Sequence, residues 1–212
     1  MDVKEAISKH VPVDALIVLG CGVDGNRELL ANFVRRSQAA ADIAVSLHPR
    51  IMVFSSGHPW PQTEAVETPP DSEAIAMYRL ADGYAAEQYG NPLPPDIGIF
   101  TEEESTSTAA HFAKSSDLLD LQPGESLGFL TDNLHNLYSR AEYLAHLVFP
   151  KNKIRPLTHK IIFTQNEKDH ERRVYYVTRS FMFGVRPGNL TAIMKRHKRM
   201  ARSNVRPKNS SE

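Results

Sequence analysis

Residues 16–28 read LIVLGCGVDGNRE, an apolar run that ends in glycines spaced Gly20-x-Gly22-x-x-Gly25. A short apolar run closed by glycines reads as a buried strand feeding a tight turn into a helix. In such a turn the backbone N–H groups approach a phosphate or carboxylate closely, and the dipole of the following helix favours the negative charge. The helix is visible in the next stretch, ELLANFVRRSQAAADIAVSL. There Leu30, Phe33, Val34, Ala41, Val45 and Leu47 recur at roughly helical spacing until His48-Pro49 stops the pattern.

Working outward, strand-length apolar runs alternate with longer helical patterns. Strands are expected over 15–20, 51–55, 96–100, 127–131 and 160–163. Helices are expected after Ser72, which suits an N-cap, as far as Gly90, after the acidic run Glu102 to Glu104, and over 136–149 before Pro150. This alternation predicts an α/β fold, a Rossmann-like three-layer domain with a mostly parallel sheet of about five strands. EKDHERRVYYVTRSFMFG and GNLTAIMKRHKRM have no matching strands and read as a C-terminal helical appendage. Residues 1–188 are expected to form the single domain, and 189–212 a basic helix and tail. The four-proline segment SGHPWPQTEAVETPPD is long for a strand-to-helix connection and would overhang the carboxyl edge of the sheet, where open α/β sheets bind ligands. Its Trp60 would cap a ligand or anchor the loop.

A chain of 212 residues suits one domain burying roughly 70% of its unfolded surface. With 41% hydrophobic and 24% charged residues it has the composition of a soluble protein. The run ALIVLG follows Pro12 and Asp14 and falls far short of the roughly 20 residues that a membrane span needs. Asp2 and Glu5 stand where a signal peptide wants positive charge, so the expected location is the cytoplasm. The single cysteine, Cys21, excludes an intrachain disulfide and a cysteine-rich zinc site. At a glycine turn it would either have a lowered pKa or simply be small enough to fit. Net charge is zero but uneven. Residues 195–212 hold seven basic residues and Glu212, a net +6, which leaves the body at −6. Such a tail reads as a solvated terminus, or as an element that contacts nucleic acid or an anionic membrane.

The glycine spacing also matches a dinucleotide fingerprint, which requires an acid at the end of the second strand to hold ribose hydroxyls. That end reads FSSGHPW, without a carboxylate, and Asp42 falls inside the first helix. The methyltransferase pattern wants an acid just before the first glycine, where this chain has Val18 and Leu19. The glycines therefore fit a different ligand, or a tight turn alone.

The remaining strand ends read SSG at 55–57, SEA at 72–74, EEESTSTAAHFAKSS at 102–116 and LTDNLHNLYSRA at 130–141. In this order and spacing residues 13–150 resemble the ElyC/SanA/YdcF family, a Rossmann-like domain whose activity is poorly defined. The match runs through the apolar run and glycines of 15–22, Arg36 with Ala39 and Ala40, Ser56-Gly57, and Ser72-Glu73-Ala74. It continues through Glu102, Ser105 and Thr108 of the motif Glu-x-x-Ser-x-x-Thr-x-x-Asn, whose last position here holds His111. Thr131, His135 and Arg140-Ala141 complete it, with about two extra residues between the histidine and the arginine; the second glycine of the family's Ser-Gly-Gly turn is His58. The resemblance implies the soluble branch of the family. Some relatives carry transmembrane segments and are linked to cell-envelope and peptidoglycan metabolism, and a soluble one is associated with binding S-adenosylmethionine.

In a parallel sheet these strand ends share one edge, so a single site would gather them. Ser105 and Thr108, three apart, would share a helical face near an N-terminus that favours anions. With Gly20, Gly22, Asp24 and Gly25 of the first loop, Ser56 and Gly57 of the second, and Glu73, Thr131 and Asp132, they form the expected ligand-binding set. Arg36 or Arg140 would supply the charge, since a guanidinium matches planar anions bidentately. His135 is the candidate general acid or base, its ordinary pKa lying near neutrality, and Glu102 would orient it or the substrate. Glu102, Asp132 and His135, with Asp24, would also supply donors for a metal. His111, His146, His159 and His170 read as surface or hydrogen-bonded histidines. Two functions follow: binding of an anionic, nucleotide-like molecule such as S-adenosylmethionine with transfer or hydrolysis at the site, or a non-catalytic ligand-sensing or envelope-linked interaction protein.

Overall fold

The computed structural model describes residues 1–21, 27–58, 72–161 and 163–204. Its elements in chain order are α1 (Val3–Ser8), β1 (Ala15–Leu19), α2 (Arg27–Leu47), β2 (Ile51–Ser55), α3 (Glu73–Tyr89), β3 (Gly98–Glu102) and α4 (Thr108–Leu119). They are followed by β4 (Ser126–Asp132), α5 (Arg140–Val148), β5 (Lys153–His159), α6 (Gln165–Met182) and α7 (Leu190–Asn204). The strands form one parallel sheet in the order β3-β2-β1-β4-β5. The chain moves outward through β2 and β3, then returns to the other side of β1 for β4 and β5. That reversal between β1 and β4 opens a crevice at the carboxyl edge, as in Rossmann-like sheets.

Both faces of the sheet are covered. Along β1 the side chains alternate: Leu16 and Val18 enter a core with α1, α2 and α3, while Ala15, Ile17 and Leu19 enter a second core with α4 and α5. A two-residue period between two apolar layers explains why LIVL is apolar throughout. Ser72 caps α3 by accepting from the Ile75 N–H, and Gly90 ends the helix in the left-handed conformation at φ 79°. His48 stops α2 at φ 52°.

The last strand departs from expectation. It is Lys153–His159, not 160–163. Pro156 and the charged Lys153 and Arg155 break the apolar pattern that marks an inner strand, yet β5 lies at the sheet edge, where proline is tolerated. The outer side of β5 is shown by Thr158, whose N–H donates to the Met1 carbonyl (2.9 Å), and by Pro156, whose carbonyl accepts from the Met1 amine (3.0 Å). The missing proline N–H therefore faces away from β4.

Helix α4 starts at Thr108 with Ser107 as its N-cap, so Ser105 precedes the helix and shares no helical face with Thr108. Helix α5 begins at Arg140 rather than 136, because Asp132 holds residues 133–138 in turns by accepting the His135 N–H. The two C-terminal helices pack against the domain: α7 lies on α4 and α5, α6 lies on α7, and Met182 and Ile193 are buried in the second core. Among the described residues no helix is long and apolar enough to cross a membrane.

Candidate active site at the carboxyl edge

The turn after β1 is built around one carboxylate. Glu73, the first residue of α3, accepts from the Cys21 N–H (2.6 Å) and from the Ser56 hydroxyl (2.5 Å), tying the β1 and β2 loops together. A Cβ on Gly20 would lie 2.5 Å from the Ser56 Cβ and 2.8 Å from Glu73 Oε2. Glycine is thus required at position 20 by this packing. Gly57 has the same role one loop over: its N–H donates to the Ser105 carbonyl (2.5 Å), and a Cβ there would meet the Glu104 carbonyl carbon at 2.5 Å. Gly22, Asp24, Gly25 and Trp60 lie outside the described residues.

Beneath the loop sits Arg36, wholly buried in α2. Its Nη1 donates to the Leu19 (2.5 Å) and Gly20 (2.8 Å) carbonyls, its Nη2 to Asp132 (2.8 Å) and its Nε to His159 Nε2 (3.2 Å). The guanidinium holds the ends of β1, β4 and β5 together and is not turned toward a ligand. A buried charge paired and hydrogen-bonded this fully is costly to disturb. Burial keeps His159 neutral, its pKa pushed down to about 3, and the neighbouring Arg36 adds to the shift.

Asp132 also accepts from His135, through the backbone N–H on Oδ1 (2.7 Å) and through Nδ1 on Oδ2 (2.8 Å). Burial alone would raise the Asp132 carboxyl. The His135 hydrogen bonds and charge, with Arg36, outweigh it and hold the group well below the usual carboxylate range. An ionised Asp132 fixes the proton of His135 on Nδ1, which leaves Nε2 as the reactive nitrogen.

Glu102 does not contact His135. Its Oε2 accepts from the Ser55 hydroxyl (2.5 Å), its Oε1 from the Glu104 N–H (2.9 Å), and Ser55 in turn meets His111 Nδ1 at 2.8 Å. The orienting acid of His135 is Asp132, three residues before it. Ser105 is fully buried, its hydroxyl without a hydrogen-bond partner among the described residues.

Above these layers a cavity of about 230 Å³ opens at the β1/β4 crevice. Gly20, Thr108, Thr131, His135 and Arg140, all expected in the site, line it. Arg36, Ser56, Glu73, Glu102, Ser105 and Asp132 do not line it; hydrogen bonds join them to the supporting loops and strand ends, Ser105 through its backbone carbonyl. Arg140 donates to both carboxylate oxygens of Glu171 (2.6 and 3.4 Å) and to the Thr108 hydroxyl (3.3 Å), which bolts α5, α6 and the start of α4 around the opening. Burial pushes the Cys21 thiol up to about 12, which favours its protonated form. Among the described residues no group of three His, Cys, Asp or Glu side chains could hold a metal ion. No family model, curated protein or solved structure matches the chain.

Four lining histidines, His58, His111, His135 and His197, come from four different segments. Thr178, Met182 and Met200 of α6 and α7 make the far wall, largely apolar together with Leu144. Sequence reasoning missed these C-terminal residues. The signal was present as helical spacing: Glu171, Thr178 and Met182 fall on one face of α6, and Ile193, His197 and Met200 on one face of α7.

Proposed function

We propose that this cavity binds a small organic anion and that His135 acts there as general base and acid, in a hydrolysis or a group transfer carried out in the cytoplasm. The observation that carries the reading is His135 locked by Asp132, with Nε2 left for a cavity that also presents Arg140, Thr108 and the N-terminus of α4. In the reaction Nε2 accepts the proton of the attacking water or acceptor hydroxyl and returns it to the leaving group, while Asp132 stabilises the transient imidazolium. Arg36 keeps Asp132 ionised throughout. Thr108 and the first N–H groups of α4 hold the anion, with Arg140 adding charge that Glu171 moderates.

The resemblance to the ElyC/SanA/YdcF family supports a nucleotide-like ligand, S-adenosylmethionine among them. The described lining suits the carboxylate end of that molecule. It offers no unengaged carboxylate for ribose hydroxyls, and its volume lies below the roughly 300–1,000 Å³ of pockets for drug-sized ligands. No step is therefore routed through S-adenosylmethionine, and smaller anions fit better.

A thermal-shift panel of small phosphates and carboxylates, nucleotides, S-adenosylmethionine and nucleotide sugars tests the reading. A ligand at 100 times its Kd stabilises by about 2.7 kcal/mol. With a ligand in hand, His135→Ala is expected to keep binding and to lose turnover by a factor of roughly 10² or more. No shift from any member would defeat the anion site. Binding without turnover in the native protein would leave a ligand sensor in its place.

A further inference from the structure

His111 stands where the family motif carries asparagine, and its surroundings give it a defined task. The carboxylate of Glu102 accepts the only proton of the Ser55 hydroxyl, so Ser55 Oγ has a lone pair and no proton to offer His111. His111 Nδ1 must then be the donor of that 2.8 Å bond. The opposite nitrogen, Nε2, makes no hydrogen bond to a described residue, and the residue lines the cavity at only 5% exposure. We propose that His111 presents Nε2 to the cavity as a fixed hydrogen-bond acceptor, so that the ligand is an organic anion carrying a hydroxyl or amine donor within about one helical turn of its anionic group.

The spacing follows from α4. His111 lies three residues after Thr108, hence on the same side of the helix, its Cβ roughly 5–6 Å from that of Thr108 at the anion-binding end. The acceptor role requires a neutral ring. Burial pushes the His111 pKa down to about 3, and His58, Arg36 and His135, the positive or protonatable groups that face it, act in the same direction. Glu102 is the facing carboxylate, and Ser55 stands between them. Two of the lining imidazoles thus have different tasks: His135, oriented by Asp132 as the acid and base, and His111, held neutral to receive a donor. A site built to accept a hydrogen bond from the ligand discriminates strongly against an analogue without that donor.

The inference rests on the anion-site reading, and the test separates the two. The probes are sn-glycerol 3-phosphate and propyl phosphate, equal in charge and close in size, measured by calorimetry on the full chain. The native protein is expected to bind the glycerol ester at least tenfold more tightly. His111→Phe should bring that ratio close to one while leaving propyl phosphate affinity unchanged. Equal binding of the two by the native protein, or an undiminished ratio in the variant, overturns the role of His111 and leaves the anion site standing. Failure of both probes to bind removes the anion site and this inference together. Nitrogen NMR of the native protein needs no ligand and no variant: the His111 ring should show the Nδ1-protonated tautomer with no titration between pH 5 and 8. Protonation on Nε2, or a midpoint near 6.5, overturns the proposal.

Discussion

At the scale of single residues, the glycines show how one sequence feature divides into two physical causes. Gly20 and Gly57 are needed because the neighbouring loop occupies the space of a Cβ. Gly83, inside α3, has nothing within 4 Å of the same position. Substitution by alanine should therefore change sign between them. Gly20→Ala and Gly57→Ala are expected to destabilise by about 1–3 kcal/mol, Gly57 the more because it meets backbone, whereas Gly83→Ala should stabilise by about 0.5–1 kcal/mol. Urea unfolding midpoints decide it; a stabilising Gly57→Ala would refute the close approach. Residue types in the site were legible in this way. Gly20, Thr108, Thr131, His135 and Arg140 reach the cavity as expected. Their partnerships were not, because Glu102 and Asp132 look alike in a sequence and differ only in which neighbours the folded strand ends bring to them.

At the scale of elements, periodicity located the inner strands and most helices, since an element buried on a known face repeats at 2 or 3.6 residues. It failed at β5, where an edge position tolerates Pro156 and charged side chains; α6 and α7 were legible as helices, but their charged outer faces hid the narrow buried stripe that reaches the cavity. That stripe makes a prediction. Ile193 is fully buried between α7 and the second core, so Ile193→Ala should cost about 2–5 kcal/mol of global stability. A loss below about 1 kcal/mol, with hydrogen exchange faster only in residues 190–204, would mean that α7 is an independent addition. His197 and Met200 lie on the same helix. Loosening α7 should therefore weaken ligand binding as well.

At the scale of the whole molecule, the carboxyl edge is held by groups that must keep one protonation state. His111 and His159 are buried with pKa values pushed down to about 3, against about 6.5 when unfolded. Below pH 6.5 the unfolded chain binds the extra protons, so stability is complete above that pH and declines as pH falls, by up to about 1.4 kcal/mol per unit for each histidine. Asp132, whose carboxyl is lowered, adds its own loss only below about pH 4. Urea midpoints should fall steadily from pH 7 to 5, less steeply in His111→Asn. A flat profile would contradict the buried neutral rings. The local sequence determined the alternation of strands and helices, the apolar layers and the glycine turns, because these follow from backbone periods spanning a few residues. Tertiary structure alone decided that Arg36 meets Asp132, that Ser55 stands between Glu102 and His111, and that α6 and α7 close the cavity. Those partners lie between 31 and 96 residues apart along the chain for the pairs from Arg140–Glu171 to Arg36–Asp132, and only the order β3-β2-β1-β4-β5 with the packing of the last helices brings them within hydrogen-bond reach.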